Sequence, residues 1–318
     1  MKRHKHLRFL LIILVFLLAF IWINELYALY AKTIIYSRTL NYPSKGTQEF
    51  SVIVLPDTQN YVKNPENEHV FERQAKWIIQ NKEPLNIKFV IHVGDIVSTW
   101  DSETQWQAAD RVLSLLDAHQ IPYSVAAGNH EHQTTDTHSE TTGFDRYFGV
   151  ERFKEKPWWG GNYNRSTNSY FLLTINEEGY IFLNLDWCPS ADEIQWARDV
   201  LINQYPDRKA ILTTHGYLND LAASRQGISR CGSTEYIFDN LIRHVPNLQI
   251  VLSGHEHSED GEAFRIDKTI SGDPVYQIMI DYQSEPNGGN GWLKILRFVP
   301  RKDKIYLKTY SPFLNKAR

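Results

Sequence analysis

From residue 49 onward the chain is expected to be α/β, with a parallel sheet covered by helices. Three observations carry this. The chain has 318 residues, 42% hydrophobic, enough for a sizeable core. Short apolar runs of strand length alternate with segments of helical period. And five of those runs stop abruptly at Asp, Asn, Gln or His, four of them beside glycine.

In chain order, "SVIVL" is a buried strand, followed by a helix over about Glu66 to Gln80 with Phe71, Ala75 and Ile78 on one face. "KFVIHV" is the second strand. "SETQWQAADRVLSLLDAHQ" is a helix with Ser102 as its cap and Trp106, Ala109, Leu113 and Leu116 as its apolar stripe. "IPYSVAA" is the third strand. "NSYFLLTI" and "GYIFLNLD", joined through "NEEG", suit an antiparallel hairpin. Then come helix "ADEIQWARDVLINQY", strand "KAILTTH", helix "STEYIFDNLIRH" and strand "LQIVLSGH". The C-terminal quarter is rich in strands: "GEAFRI", "PVYQIMID", "WLKILRFV" and "KIYLKTY".

The first thirty residues are a different material. Lys2, Arg3, Lys5 and Arg8 precede fifteen uncharged residues, "FLLIILVFLLAFIWI", and Phe9 to Tyr30 reaches the roughly 20 residues that a membrane-spanning helix needs. Neither Ala28 nor Ala31 has a small residue two places before it, as a cleavage site wants. The expectation is an uncleaved N-terminal transmembrane anchor over 1–31, a tether over 32–48 and an extracytoplasmic globular domain over 49–318. Secretion after cleavage is the alternative. Outside the cytoplasm a disulfide between Cys188 and Cys231 is permitted, but sequence leaves it open. A net charge of −3, with no long run of one sign beyond the N-terminus, gives no footprint for nucleic acid.

The five strand ends are "LPDTQ" (Asp57, Gln59), "VGDIV" (Asp95), "AGNHE" (Asn129, His130), "TTHG" (His215) and "SGHEH" (His255, His257). In a parallel sheet the carboxyl ends of strands share one edge, so these groups are aimed at one place. Carboxylates, amides and imidazoles without thiolate suit divalent ions such as Mn, Fe or Zn, and so many donors fit a pair better than one ion. If the backbone stays extended at "HEH", alternation turns Glu256 away from the two histidines.

In this order the blocks resemble the calcineurin-like metallophosphoesterases. The resemblance spans about Phe50 to Tyr310. It implies two mixed β-sheets packed face to face with helices outside, an αββα sandwich, and a dinuclear metal centre at the strand ends. It also implies roles. Asp57, Gln59 and His257 would hold a first ion, Asn129, His215 and His255 a second, and Asp95 would bridge them. His130 would sit beside the ions without binding them and act in catalysis with Asp95. Gln59 stands where the family usually has histidine, a weaker and harder ligand. "DYQ" (Asp281 to Gln283) and "NGGNGW" (Asn287 to Trp292) look like further marks of a subgroup. The latter is either a plain turn or a backbone cradle for phosphate.

The implied activity is metal-dependent hydrolysis of a phosphomonoester or phosphodiester. The alternative is a metal-containing cell-surface binding protein of the same fold without turnover. A metallopeptidase lacks support, since no His-Glu-x-x-His stands on a helix. Loops over Gln133 to Phe148 and Lys156 to Asn168 are the expected pocket walls, with Trp158, Trp159 and Tyr163 either stacking on substrate or packing the loop. Asp136, His138 and Asp145 read as a solvated loop.

Overall fold

The computed structural model describes residues 38–134, 139–219, 234–257 and 260–318. The first sheet is built from β1 (Thr39–Asn41), β2 (Phe50–Leu55), β3 (Ile87–His92), β4 (Tyr123–Val125), β12 (Leu293–Val299), β13 (Lys304–Ser311) and β14 (Lys316–Ala317). Its order is β1-β13-β12-β2-β3-β4, with β14 beside β13. The second holds β5 (Trp159–Tyr163), β6 (Arg165–Ile175), β7 (Glu178–Leu185), β8 (Lys209–Thr214), β9 (Leu248–Ser253), β10 (Glu262–Lys268) and β11 (Pro274–Ile280) in the order β10-β11-β9-β8-β7-β6-β5. Each has a parallel centre, β2-β3-β4 in one and β7-β8-β9-β11 in the other, flanked by antiparallel strands. Both sheets are therefore mixed, as the sandwich requires.

Strand alternation explains how the sheets pack. On β7, Tyr180 and Phe182 face inward to the core shared by both sheets, while Ile181, Leu183 and Leu185 face a second cluster outside. The rings of Phe89 on β3 and Phe182 stack across the interface with centroids 3.9 Å apart. Helices α2 (Glu68–Asn81) and α3 (Glu103–Ala118) cover the outer face of the first sheet with the apolar stripes read from sequence. Helices α6 (Ala191–Asp199) and α7 (Thr234–Asn240) cover the second through Ile194, Ala197, Ile237 and Phe238. Covered on both faces, β2 buries all six of its residues. The β6–β7 hairpin turns through Asn176 and Glu177, both left-handed at φ 53° and 65°, as a two-residue hairpin of this hand demands.

Several features differ from the sequence reading. No helix among the described residues is long and apolar enough to cross a membrane. The longest described helix is α3, with 16 residues. At 1.5 Å per residue it reaches about 24 Å, short of a bilayer's roughly 30 Å apolar core. The transmembrane helix, the membrane partner and the membrane-anchored localisation are accordingly corrected; residues 1–31, on which they rested, lie outside the described residues. The stretch read as a tether contributes β1, which pairs with β13 and buries Leu40, with Tyr42 just beyond it. The loop over Gln133 to Phe148 contains α4 (Thr142–Phe148), followed by α5 (Val150–Phe153), with α1 (Gln59–Lys63) earlier at the end of β2. Ser102 stands at the start of α3, but its hydroxyl pairs with Thr104 and does not cap the helix. Cys188 is disulfide-bonded, and Cys231 lies outside the described residues.

Candidate metal centre

The parallel strands deliver their ends to one edge. Asp95 is the hub. It follows Gly94, whose φ of 114° no other residue adopts easily, and itself takes a left-handed φ of 51°. A Cβ on Gly94 would lie 2.6 Å from His215 Nδ1, so the close approach of the two loops also requires glycine. The Asp95 carbonyl accepts the backbone N–H groups of Thr58 and Gln59 at 3.0 and 2.9 Å, which ties the β2 loop to the β3 loop. Glu131, fully buried, accepts from the backbone N–H groups of Asp95, Ile96, Val97 and Gly128 at 2.6–3.1 Å. That ties the β3 loop to the β4 loop.

The Asp95 carboxylate gathers side chains from other strand ends. His215 Nε2 is 3.2 Å from Oδ1, the Gln59 amide donates to Oδ2 at 3.1 Å, and His130 Nε2 lies 3.9 Å from Oδ2. Asp57 is reached by the His255 backbone N–H at 3.1 Å and by His215 Nε2 at 3.8 Å. Asn129 Oδ1 lies 2.9 Å from His255 Nδ1. Asp95, His215 and His255 each offer a ligand atom, all within 4.8 Å of one another. Thus Asp57, Gln59, Asp95, Asn129, His130, His215 and His255 come together. His257 is exposed, outside the compact cluster. His255 adopts φ 72°, so the backbone there is not extended and Glu256 stays within 4.0 Å of the His255 ring.

Two histidines are oriented by backbone carbonyls, which can only accept. His215 Nδ1 donates to Val93 O at 3.0 Å and His130 Nδ1 to Ser98 O at 2.8 Å, so Nε2 of each faces the cluster. His92, also buried, is a satisfied core residue: its Nε2 bonds the Thr58 hydroxyl, its Nδ1 accepts from Gly94, and burial holds it down at about 3.

The electrostatics fit a cation site. Burial pushes Asp57 well above the usual carboxylate range, and the charge of Asp281 adds to it. Burial lowers His215, but the charges of Asp95 and Asp57 outweigh it and push the imidazole up to about 10. Burial and the His215 charge hold His255 down at about 4. Asp57 Oδ1, Gln59 Oε1 and His215 Nε2 are buried without a hydrogen-bond partner among the described residues. Buried polar atoms are rarely left this way, and a bound cation would satisfy the two oxygens directly and His215 Nε2 once its proton has left. A Cβ on Gly254 would lie 2.1 Å from Asp57 Oδ1, so the β9 loop leaves room only for this carboxylate.

Sequence reasoning missed some of the site. Trp187 packs its ring 4.5 Å from His255 and 5.6 Å from His215. Just before it, Asp186 bonds His132 Nε2 at 2.9 Å. Both stand at the end of β7, a sixth strand stopping at a polar residue, which the same pattern would have flagged. Trp158 is buried, Trp159 packs on Phe153 and Phe171, and Tyr163 stacks on Trp196, so these aromatics pack the fold. Asp145 accepts from the Thr141 hydroxyl on α4; Asp136 and His138 lie outside the described residues. In "NGGNGW" the N–H groups of Gly289 to Trp292 bond Glu285, Pro286, Tyr61 and Gly289, which makes it a turn bracing α1.

A two-sheet sandwich with carboxylate and imidazole donors at its parallel strand ends defines a phosphoesterase-type fold with a candidate metal site. The chain belongs to the calcineurin-like phosphoesterase family, whose sequence pattern matches residues 50–259. A Bacillus subtilis (strain 168) protein, uncharacterized protein YvnB, is 38% identical over 275 residues. That match covers 86% of this chain but only 20% of the relative's length. Purple acid phosphatase PPD1 from yellow lupin superposes with a TM-score of 0.51 at 12% identity, over 87% of this chain and 54% of that one. A dimetal phosphatase from Danio rerio gives 0.48 at 12% identity, over 78% of this chain and 95% of that one. The lupin likeness speaks to the fold alone.

Proposed function

We propose that the chain hydrolyses a phosphomonoester or phosphodiester at a two-ion centre. Asp57, Gln59 and His257 serve the first divalent ion, Asn129, His215 and His255 the second, and Asp95 both. The observation that carries this reading is the convergence on Asp95 of Gln59, His130 and His215 from three other strand ends. The donor set suits Mn, Fe or Zn. When bound, such ions supply Lewis-acid activation of water and of the phosphoryl oxygens.

The chain's own residues do the rest. Val93 O fixes the His215 tautomer, so the Nε2 lone pair is available once its proton leaves. The Trp187 ring limits how far His255 can swing. His130 keeps Nδ1 on Ser98 O, and its half-buried ring leaves Nε2 free to pass a proton to the departing alkoxide. A binding protein without turnover has no use for a histidine placed this way. Assays of p-nitrophenyl phosphate and bis-p-nitrophenyl phosphate with Mn²⁺, beside elemental analysis of the purified protein, test the reading. Turnover of at least one ester with two ions per chain is expected; no turnover with any of several metals would refute it.

A further inference from the structure

Asp281 has no role in the scheme above, yet it is fully buried at the same edge. It follows β11, which runs parallel to β9 with Met279 opposite Ser253, so Asp281 is level with His255. The His255 backbone N–H bonds Asp57, and Asp281 is the strongest charged influence on that carboxylate. Gln283 grips both oxygens of Asp281, from its backbone N–H at 2.9 Å and its side-chain amide at 2.8 Å. In turn the Gln283 carbonyl accepts from Asn60 at 3.1 Å, the residue after Gln59. Among the described residues no basic side chain forms an ion pair with Asp281. Two buried carboxylates that share the one charged imidazole of His215, which also faces Asp95 at 3.2 Å, are costly unless a further cation joins them. Asp57 Oδ1 and Gln59 Oε1, buried and without partners, mark where that cation belongs.

We propose that Asp281, held by Gln283, supplies negative charge to the first metal site where the neutral amide of Gln59 is the weak ligand. This rests on the two-ion reading above. Asp281 is a positioning and charge-supplying residue of that site; the hydrolytic chemistry stays with Asp95 and His130.

The test is Mn²⁺ titration of the chelator-stripped protein by calorimetry, with melting temperatures measured with and without Mn²⁺. Wild type is expected to bind two ions. Asp281→Asn keeps shape and the bond from the Gln283 backbone N–H, with the Gln283 side-chain amide turned over to present its oxygen to the new NH2, and is expected to weaken one ion roughly 10–100-fold while sparing the other. It is also expected to raise the melting temperature of the metal-free protein, since a buried like-charge pair is relieved. Adding Gln59→His to Asp281→Asn should recover affinity at the weakened site. Two ions in wild type with an unchanged titration in Asp281→Asn overturn this proposal alone. So do equal weakening of both ions, a lowered metal-free melting temperature or failure of Asp281→Asn to fold, each of which marks a structural residue. One ion or none in wild type overturns the two-ion reading, and this proposal with it.

Discussion

The two halves of the proposed two-ion centre are built to different standards. Around His215, His255 and Asn129 the side chains already touch, and His215 is aimed by a backbone carbonyl behind it. Around Asp57 and Gln59 one oxygen of each side chain is buried without a partner, and His257 is exposed. The difference separates what the fold can set alone from what it leaves to a cation. A backbone carbonyl from the opposite sheet aims His215 in advance, whereas in the first half the His255 N–H holds one oxygen of Asp57 and leaves the other, beside the substituted ligand, open.

The sharpest way to break this comparison is at the residue both halves share. Asp95→Asn is expected to lower metal content and cut kcat by on the order of 10³-fold or more, several kcal/mol of transition-state stabilisation. Elemental analysis with steady-state kinetics would show it, and retained metal with retained rate would remove Asp95 from the centre. His130→Ala leaves the ligands alone, so metal content should hold while kcat falls roughly 10²–10⁴-fold. An unchanged kcat in that variant removes His130 from the mechanism.

A third substitution probes the support beneath the compact half. His132 and Asp186 form a buried pair, with the His132 ring also meeting Ser139 and lying near the charges of Glu131 and Arg165. Burial works against the charged imidazole, but the Asp186 hydrogen bond and charge prevail and raise His132 above its usual range. A raised histidine contributes stability that is fully present below its unfolded value near 6.5 and is lost as pH climbs through the folded one. Burial would raise Asp186, yet the His132 hydrogen bond lowers it, so its share is lost only in acid. His132→Gln should therefore cost about 1.5–3 kcal/mol near pH 6 and progressively less in alkali. Denaturant melts from pH 5 to 10 would check this, and a flat difference would refute it. Smallest is Gly254→Ala, whose methyl must displace Asp57 Oδ1; about 1–3 kcal/mol of lost stability is expected from overpacking. Its harm should fall on the first ion only, which the same metal titration reads.

How legible all this was in sequence depended on the scale of the interaction. Strand ends such as Asp57, Asp95 and His215 stand out because a buried apolar run seldom stops at a ligand-type residue without cause. The helical stripes of α2 and α3 followed from spacing alone. By contrast β5 contains Gly160 and Gly161 and no alternation, so its five residues read as loop until β6 pairs with them. Glu131 carries no role that its sequence shows, because three of its four backbone donors come from a loop more than thirty residues away and meet it only in the fold. Asp281 was visible as "DYQ", but its proximity to Asp57 depends on which strand lies beside β9, which local pattern does not encode.

The carboxylate of Glu131 has a mechanical consequence. By holding four amides at once it fuses the turns that present Asp95 and Asn129 into a single solid piece. Any breathing that spreads those two residues must first strip the amides of Asp95, Ile96 and Val97 from an oxygen pair sealed away from water. Loops are ordinarily where a protein loosens first; here the turns at the ligand-bearing rim should exchange their amide hydrogens as slowly as the strands beneath them.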